Sequence, residues 1–239
     1  MPVPKSGDNG STNVNRMLAT LPKAEYKRLL PSLKLVNLPL GEVLYEPGSV
    51  IKYVYFPNNS IVSLISPQLG TSSLEVGMIG NEGMAGLAVF MGVKNSSTQA
   101  LVQGAGSAMR MTSGNLRDEA HRLSNMHNLL HRYSHSLLMQ ISQIAACNNF
   151  HLVHARLARW LLMTNDRLGL AEFPLTQSFL SNMLGVRREG VSEAASELQS
   201  SKLIRYSRGL ITILNRRGLE ANSCECYEII RAETDSYLN

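Results

Sequence analysis

The sequence predicts an α+β protein built from an antiparallel β-roll, a long helix and a helix–turn–helix unit that ends in a β-hairpin. Three observations lead to this prediction. Short runs of β-branched and aromatic residues alternate with turn residues up to about residue 112. Apolar residues then recur about every three and a half positions over residues 125–149. Finally, two short amphipathic segments joined by a glycine precede two strand-like runs within residues 174–214.

The roll is predicted from strand-like runs that are separated by Pro, Gly and Asn residues, as at Pro67 to Gly70. The predicted strands are residues 43–45, 53–56, 61–65, 74–79, 99–103 and 108–111. Together with the helical patterns, they divide the chain into five parts. These are a flexible tail (1–14), the β-roll (15–124), a dimerisation helix (125–149), a winged helix-turn-helix domain (150–220) and an acidic C-terminal tail (221–239).

Composition excludes several classes of protein. The 239 residues are 44% hydrophobic, which is enough for a packed core. We expect no membrane span, because no apolar run approaches the roughly 18 residues that one needs. The first twenty residues lack the apolar stretch of a secretory signal, and three cysteines are too few for a disulfide scaffold. We therefore expect a cytoplasmic protein with reduced cysteines.

Charge is concentrated near the C-terminus. The chain carries 23 basic and 18 acidic residues, a net charge of +5. Residues 151–219 contain 10 basic and 5 acidic residues, whereas residues 220–239 contain one basic and five acidic residues. The dense basic segment coincides with the helix–turn–helix pattern, so an anionic partner is expected there.

The long helix carries two apolar stripes, so it needs cover on two sides. One side can pack on the roll, and the other can pair with a second copy of the chain. The alternative is a helix buried within one chain. The residues predicted to form the dimer contact are Leu130, Tyr133, Leu137, Ile141 and Ile144.

The helix–turn–helix prediction depends on Thr176 as a helix N-cap and Gly185 as the residue that ends the first helix. A second helix follows from about residue 187 to residue 200. The runs 203–206 and 210–214 then form a hairpin, which in this position is a wing. Phosphate contacts are predicted for Thr176, Gln177, Lys202, Arg205 and Arg208.

Base contacts are predicted at the start of the second helix, because the N-terminal residues of a recognition helix meet base edges. The predicted base-reading residues are Arg187, Arg188, Glu189, Ser192 and Glu193. Arg188 can donate to guanine O6 and N7, and Glu189 can accept from cytosine N4. The expected partner is double-stranded DNA.

The order of β-roll, long helix and winged helix-turn-helix over about residues 20–218 resembles the Crp–Fnr family of bacterial transcription regulators. The most specific stretch runs from Leu175 through Glu189, followed by Leu203-Ile204. The resemblance implies a cyclic-nucleotide-binding-like roll and a homodimer on a palindromic operator. It also implies contact with RNA polymerase if the protein is an activator, and base readout by Arg188 and Glu189.

Two features depart from the family pattern. Many members have Ser at the position of Arg187 and Arg at that of Glu193, so the operator is expected to differ. Cyclic-nucleotide binders carry Gly-Glu and then Arg-Ser-Ala around the sugar and phosphate. The corresponding candidate effector pocket here contains Gly86, Leu87, Thr98 and Gln99. We therefore expect a signal other than ordinary cyclic AMP.

Other functions have weaker support. No Walker loop, nucleophile elbow or His-Glu-x-x-His motif suggests an enzyme. His127, His131 and His135 lie four apart on the long helix, which leaves a metal- or haem-responsive regulator open. Cys224 and Cys226 are a candidate redox or metal handle, but no metal or cofactor is assigned. The remaining alternative is a ligand-sensing or scaffolding roll whose winged helix binds protein.

Overall fold

The computed structural model describes residues 14–66 and 73–239, and its N-terminal part is a β-roll of two antiparallel sheets. One sheet has the order β1-β7-β3 and the other the order β2-β6-β4-β5. The strands are β1 (Lys34–Leu38), β2 (Val43–Tyr45), β3 (Tyr53–Pro57), β4 (Ile61–Ser66), β5 (Leu74–Ile79), β6 (Gln99–Gly104) and β7 (Gly106–Thr112). The six predicted strands correspond to β2 through β7, whereas β1 was not predicted.

The helices around the roll complete its core. They are α1 (Arg16–Ala19), α2 (Lys23–Leu29), α3 (Ser113–Arg122) and α4 (Ser124–Phe150), with 3-10 turns at Leu30–Ser32 and Leu87–Val89. Fully buried Val54, Phe56 and Met111 from the sheets pack in one cluster with Leu116 and Leu130 from the helices. Burial of such side chains stabilises each by about 1.5–3 kcal/mol.

The C-terminal part contains a second core around α5 (Val153–Leu168). Its further elements are β8 (Glu172–Pro174), α6 (Gln177–Leu184), α7 (Arg188–Ser200), β9 (Ile204–Ser207), β10 (Leu210–Ile213), α8 (Arg216–Ala221) and α9 (Cys226–Leu238). Strands β8, β10 and β9 form a small antiparallel sheet. Trp160 and Leu161 of α5 are buried together with Val191 and Leu198 of α7. The helix-turn-helix is therefore held by α5.

Several polar contacts connect this part to the roll, and two of them join a buried side chain to a buried carboxyl group. Arg167 of α5 forms a buried ion pair with Glu82, at 2.7 Å between Nη2 and Oε1. The indole Nε1 of Trp160 donates to Oε1 of Glu75 on β5 at 2.9 Å. Because all four side chains are buried, these contacts help to set the position of α5 on the roll.

The predicted C-terminal tail is wrong, because residues 226–238 form helix α9 on α4. Tyr227, Ile230 and Tyr237 of α9 are buried, and the Tyr237 ring lies 5.7 Å from that of Tyr133 on α4. The acidic residues lie on the remaining faces of α9, so the charge of the segment concealed its apolar stripe. The predicted flexible tail and the turn at 67–70 lie outside the described residues, apart from residue 14.

The predicted dimer contact on α4 needs a correction as well. Leu130, Tyr133, Leu137 and Ile144 are buried within the chain, and Ile141 packs against the same core. Four of these five residues are covered within the chain and so are not available to a partner, and Ile141 is half-buried beside them. Among residues 14–66 and 73–239, no helix has the length and apolarity to cross a membrane.

Candidate nucleic-acid interface

The turn between α6 and α7 has the geometry that the sequence predicts. Thr176 Oγ1 accepts from the backbone N–H of Phe179 at 3.1 Å and so caps α6. Gly185 ends α6 with φ = +61°, a conformation that other residues adopt only at a cost. A Cβ atom at this position would lie 2.7 Å from Leu74 of β5. The site needs glycine for its backbone angle, and a larger residue would in addition displace the end of the Leu74 side chain.

The start of α7 is open to solvent on the side away from the core. Arg187, Arg188, Glu189 and Glu193 are exposed, and Ser192 is half-buried. Arg187 occupies the N-cap position, but its side chain makes no capping hydrogen bond. An arginine side chain has no acceptor with which to cap a helix, and the exposed side chain of Arg187 can instead reach a ligand in front of it.

The hairpin of β9 and β10 lies beside this helix and ends in a tight turn. Arg208 and Gly209 at its tip have φ = +52° and +76°, the positive pair typical of a type I′ turn. A left-handed conformation costs a residue other than glycine about 1–2 kcal/mol. The turn places the side chain of Arg208 in solvent at the tip of the wing.

The two helices and the wing enclose one groove of about 430 Å³. It is lined by Thr176, Gln177, Ser178, Arg188, Tyr206, Arg208 and Gly209. The structure thus brings together four predicted contact residues from three separate elements.

Tyr206 is the groove residue that sequence reasoning missed. Its hydroxyl donates to the carbonyl oxygen of Leu175 at 2.9 Å, which ties the wing to the start of α6. Burial raises the pKa of Tyr206, and the nearby charge of Arg188 opposes this shift. The sequence signal for Tyr206 was its place opposite Ile211 in the predicted hairpin, because the side chains of opposite residues lie on the same face of a sheet.

Lys202 and Arg205, the other two predicted phosphate-contact residues, differ in their side-chain contacts. Lys202 is exposed after the end of α7, with φ = +57°. Arg205 is exposed as well, but its Nη2 lies 3.8 Å from a carboxylate oxygen of Glu172 on β8. This surface pair is weak, and a phosphate can replace the carboxylate.

The residues of the predicted effector pocket differ in their burial and in their contacts. Leu87 is buried in the core of the roll, directly after Gly86, which has φ = +98°. Gln99 Nε2 donates to a carboxylate oxygen of Glu46 at 2.9 Å, and Thr98 is half-buried beside it. An acidic side chain therefore contacts one of the residues of the predicted effector pocket.

The three histidines of α4 do not converge on one point. The Nε2 atoms of His127 and His131 lie 3.0 Å apart, and both rings meet the edge or face of Phe90. The Nδ1 atom of His135 instead lies 3.1 Å from a carboxylate oxygen of Glu233 on α9. The structure therefore places two of the three histidines together.

Residues 155–222 match the profile of the Crp-like helix-turn-helix domain. This match covers α5 through α8, including the groove and the wing. Residues 155–222 therefore form a helix-turn-helix domain of the Crp-like type. Among curated proteins, none matches the sequence.

Solved structures share the Crp–Fnr fold at low sequence identity. FixK2 from Bradyrhizobium japonicum is 17% identical, with a TM-score of 0.68 over 80% of this chain and 98% of its own. The c-di-GMP responsive regulator CLP of Xanthomonas campestris is 15% identical, with a TM-score of 0.62 over 80% and 98%. A CooA variant from Carboxydothermus hydrogenoformans is 12% identical, with a TM-score of 0.61 over 89% and 97%.

Proposed function

We propose that this Crp–Fnr-type chain regulates transcription as a homodimer that reads a palindromic operator through the start of α7. The observation that carries the proposal is the groove where exposed Arg188 and Arg208 meet beside the N-terminus of α7. In this arrangement α7 enters the major groove of DNA and the wing follows the phosphate backbone.

The contacts divide into two kinds. Arg187, Arg188 and Glu189 are assigned to base edges, because they occupy the exposed first turn of α7. Lys202, Arg205 and Arg208 are assigned to phosphates, which fix orientation without reading sequence. Glu193 lies one turn further along the exposed face, so it limits how closely a phosphate approaches there.

A different face of α4 supports the homodimer. Its exposed residues recur at alternating steps of three and four, which is the heptad spacing of a coiled-coil seam. These residues are Asn128, His131, His135, Leu138, Ser142, Ala145 and Asn149. The side chain of Leu138 is 60% exposed and is the main apolar group of the seam. The proposed dimer uses this seam in place of the buried stripe.

The roll is proposed to respond to a signal other than ordinary cyclic AMP. Support comes from the pair between Gln99 and Glu46, which puts a carboxylate beside the place of the phosphate. Buried Leu87 likewise offers no polar group to a ribose hydroxyl. RNA polymerase is a further partner if the protein activates transcription.

DNA binding is tested by fluorescence anisotropy with mixed duplex DNA at several salt concentrations. We expect affinity to fall steeply as salt rises, since phosphate contacts release counterions. Arg188→Ala should weaken binding to a selected operator by about 5- to 150-fold, or roughly 1–3 kcal/mol. Arg117→Ala on α3 makes the same change in charge at an exposed site away from the groove and should leave binding unchanged. Salt-insensitive, sequence-indifferent behaviour would instead favour a scaffolding role.

The dimer is tested by analytical ultracentrifugation of the Leu138→Asp variant. The charge at the centre of the seam should shift the protein towards monomer. Leu35→Asp is the control, because Leu35 on β1 is 66% exposed and lies outside the seam. A Leu138→Asp variant that stays as dimeric as the wild type would refute the assignment of the seam.

A further inference from the structure

Three cysteines and a histidine meet where the long helix ends. Cys147 lies in the last turn of α4, His151 directly follows that helix, and Cys224 and Cys226 lie at the start of α9. Their four ligand atoms all lie within 4.8 Å of one another. Residues far apart in sequence thus supply one compact set of sulfur and nitrogen donors, the set that zinc prefers.

We propose that Cys147, His151, Cys224 and Cys226 bind a single Zn²⁺ ion in tetrahedral geometry. With Zn–S bonds of about 2.3 Å and a Zn–N bond of about 2.05 Å, tetrahedral ligands lie about 3.8 Å apart for S–S and about 3.5 Å for S–N. Here the Sγ atoms of Cys147 and Cys224 are 3.4 Å apart, and Cys226 Sγ is 3.4 Å from His151 Nδ1. These two distances lie within a few tenths of an ångström of the tetrahedral values, and every other donor pair lies within 4.8 Å, so movements of up to about 1 Å close the set around the ion.

The groups behind the donors have the arrangement that orients metal ligands. The Nε2 atom of His151 lies 3.2 Å from a carboxylate oxygen of Glu225, so this nitrogen carries the proton. The lone pair of Nδ1 is then directed towards the cysteines, as in carboxylate–histidine–zinc sites. Gln143 Nε2 donates to Cys226 Sγ at 3.1 Å, a hydrogen bond that stabilises a thiolate.

Two buried arginines give an independent reason for negative charge at this place. Arg156 and Arg159 are 6% and 2% exposed, and each has an Nε atom without a hydrogen-bond partner. Neither forms an ion pair with an acidic residue in the described ranges 14–66 and 73–239. Both belong to the first two turns of α5, which begins two residues after His151 and lies close to Cys147.

An unpaired buried cation is costly. Three neutral thiols would leave Arg156 without a counter-charge among the described residues, and Arg159 with only the buried carboxyl group of Glu75. One zinc ion with three thiolates and a neutral imidazole carries a net charge of −1, which offsets one of the two. The same charge balance disfavours a disulfide between Cys147 and Cys224, because it would remove two of the three thiolates.

The position of the ion follows from its ligands. Cys147 and His151 belong to the junction between α4 and α5, where the roll meets the DNA-binding part. Cys224 and Cys226 anchor the beginning of α9, which packs back on α4. Zinc would therefore fasten α9 to this junction and limit movement of the DNA-binding part relative to the long helix.

The first test is the metal content of the full chain, purified without a metal-affinity column and measured by inductively coupled plasma mass spectrometry. We expect one zinc per chain in the wild type and a loss of zinc in the Cys224→Ser/Cys226→Ser variant. The control is His127→Gln/His131→Gln, which removes the other close pair of donors. This control should keep its zinc, and zinc that followed the histidine pair instead would overturn the proposal.

The second test uses wild-type protein alone, so it does not require a variant to fold. After exchange with Co²⁺, the absorption spectrum should show thiolate-to-cobalt charge transfer and the visible bands of tetrahedral cobalt. Modification of three thiols should release one metal ion. Protein that contains no zinc, takes up no cobalt and has three freely reactive thiols would refute the site, as would a disulfide between Cys147 and Cys224 detected by peptide mapping.

Discussion

A buried carboxyl group on β5 gives a sharp prediction about stability and pH. Glu75 is 4% exposed, and burial raises its pKa from 4.5 to about 7. Its carboxyl group accepts from Trp160 Nε1 at 2.9 Å and contacts Ser63 Oγ at 2.5 Å.

Ser63 Oγ also contacts Oε1 of Gln103. A serine hydroxyl has one proton, so it cannot donate to both Gln103 and an ionised Glu75. A protonated Glu75 can donate to Ser63, which then donates to Gln103.

The magnitude follows from the two pKa values. Because the pKa is higher in the folded state, the stabilisation is fully present below about pH 4.5 and is lost as pH rises through about 7. The shift of about 2.5 units corresponds to about 3.4 kcal/mol over the whole range. About 2.5 kcal/mol of this is lost between pH 5 and pH 8.

The assay is urea unfolding at a series of pH values for the wild type and for Glu75→Gln. The amide has a similar shape but does not titrate at these pH values. The difference in unfolding free energy between wild type and variant should therefore fall by about 2.5 kcal/mol from pH 5 to pH 8. A difference that stays constant across this range would refute the assignment of a raised pKa to Glu75.

Four further variants test the parts that position the interface. Arg208→Gly should raise the free energy of unfolding by about 1 kcal/mol, because φ = +52° suits glycine. The same variant should weaken DNA binding, and unchanged affinity would remove Arg208 from the interface. Arg167→Met leaves buried Glu82 unpaired and should cost about 3–5 kcal/mol in urea unfolding, while Glu82→Gln/Arg167→Met should recover part of that loss. Gly185→Ala should reduce thermal stability and DNA affinity together, since φ = +61° is strained for alanine; an unchanged melting temperature would contradict this.

Much of the fold could be predicted because its signals are local. Strands β2 through β7 and the wing are short runs of mainly aliphatic and aromatic residues between turn residues, and Gly185 marks the end of α6 by its own chemistry. Strand β1 gives a weaker signal, because its five residues include Lys34 and Asn37 and most of its side chains face solvent, including Leu35 at 66% exposure. Its strand structure comes from pairing with β7, which the local sequence does not encode.

The predictions that were wrong concern residues whose burial depends on contacts between distant parts of the chain. Periodicity identified two faces of α4, but only the three-dimensional structure shows that the stripe of Leu130 and Tyr133 is covered by the same chain. The charge of residues 220–239 suggested a tail, although Tyr227 and Tyr237 are buried. Of the proposed zinc ligands, only Cys224 and Cys226 could be named as candidate metal ligands from the sequence. Cys147 and His151 were missed for the same reason, because the two pairs of donors come from the ends of different helices.

The central claim, that the start of α7 reads DNA, is tested most directly by selecting bound sequences from a random duplex pool. Wild-type protein should enrich a two-fold-symmetric site. The Arg188→Ala variant should enrich the same site with the preference relaxed at one base pair in each half. If the variant enriched the same sequence with undiminished preference at every position, readout by Arg188 would be contradicted.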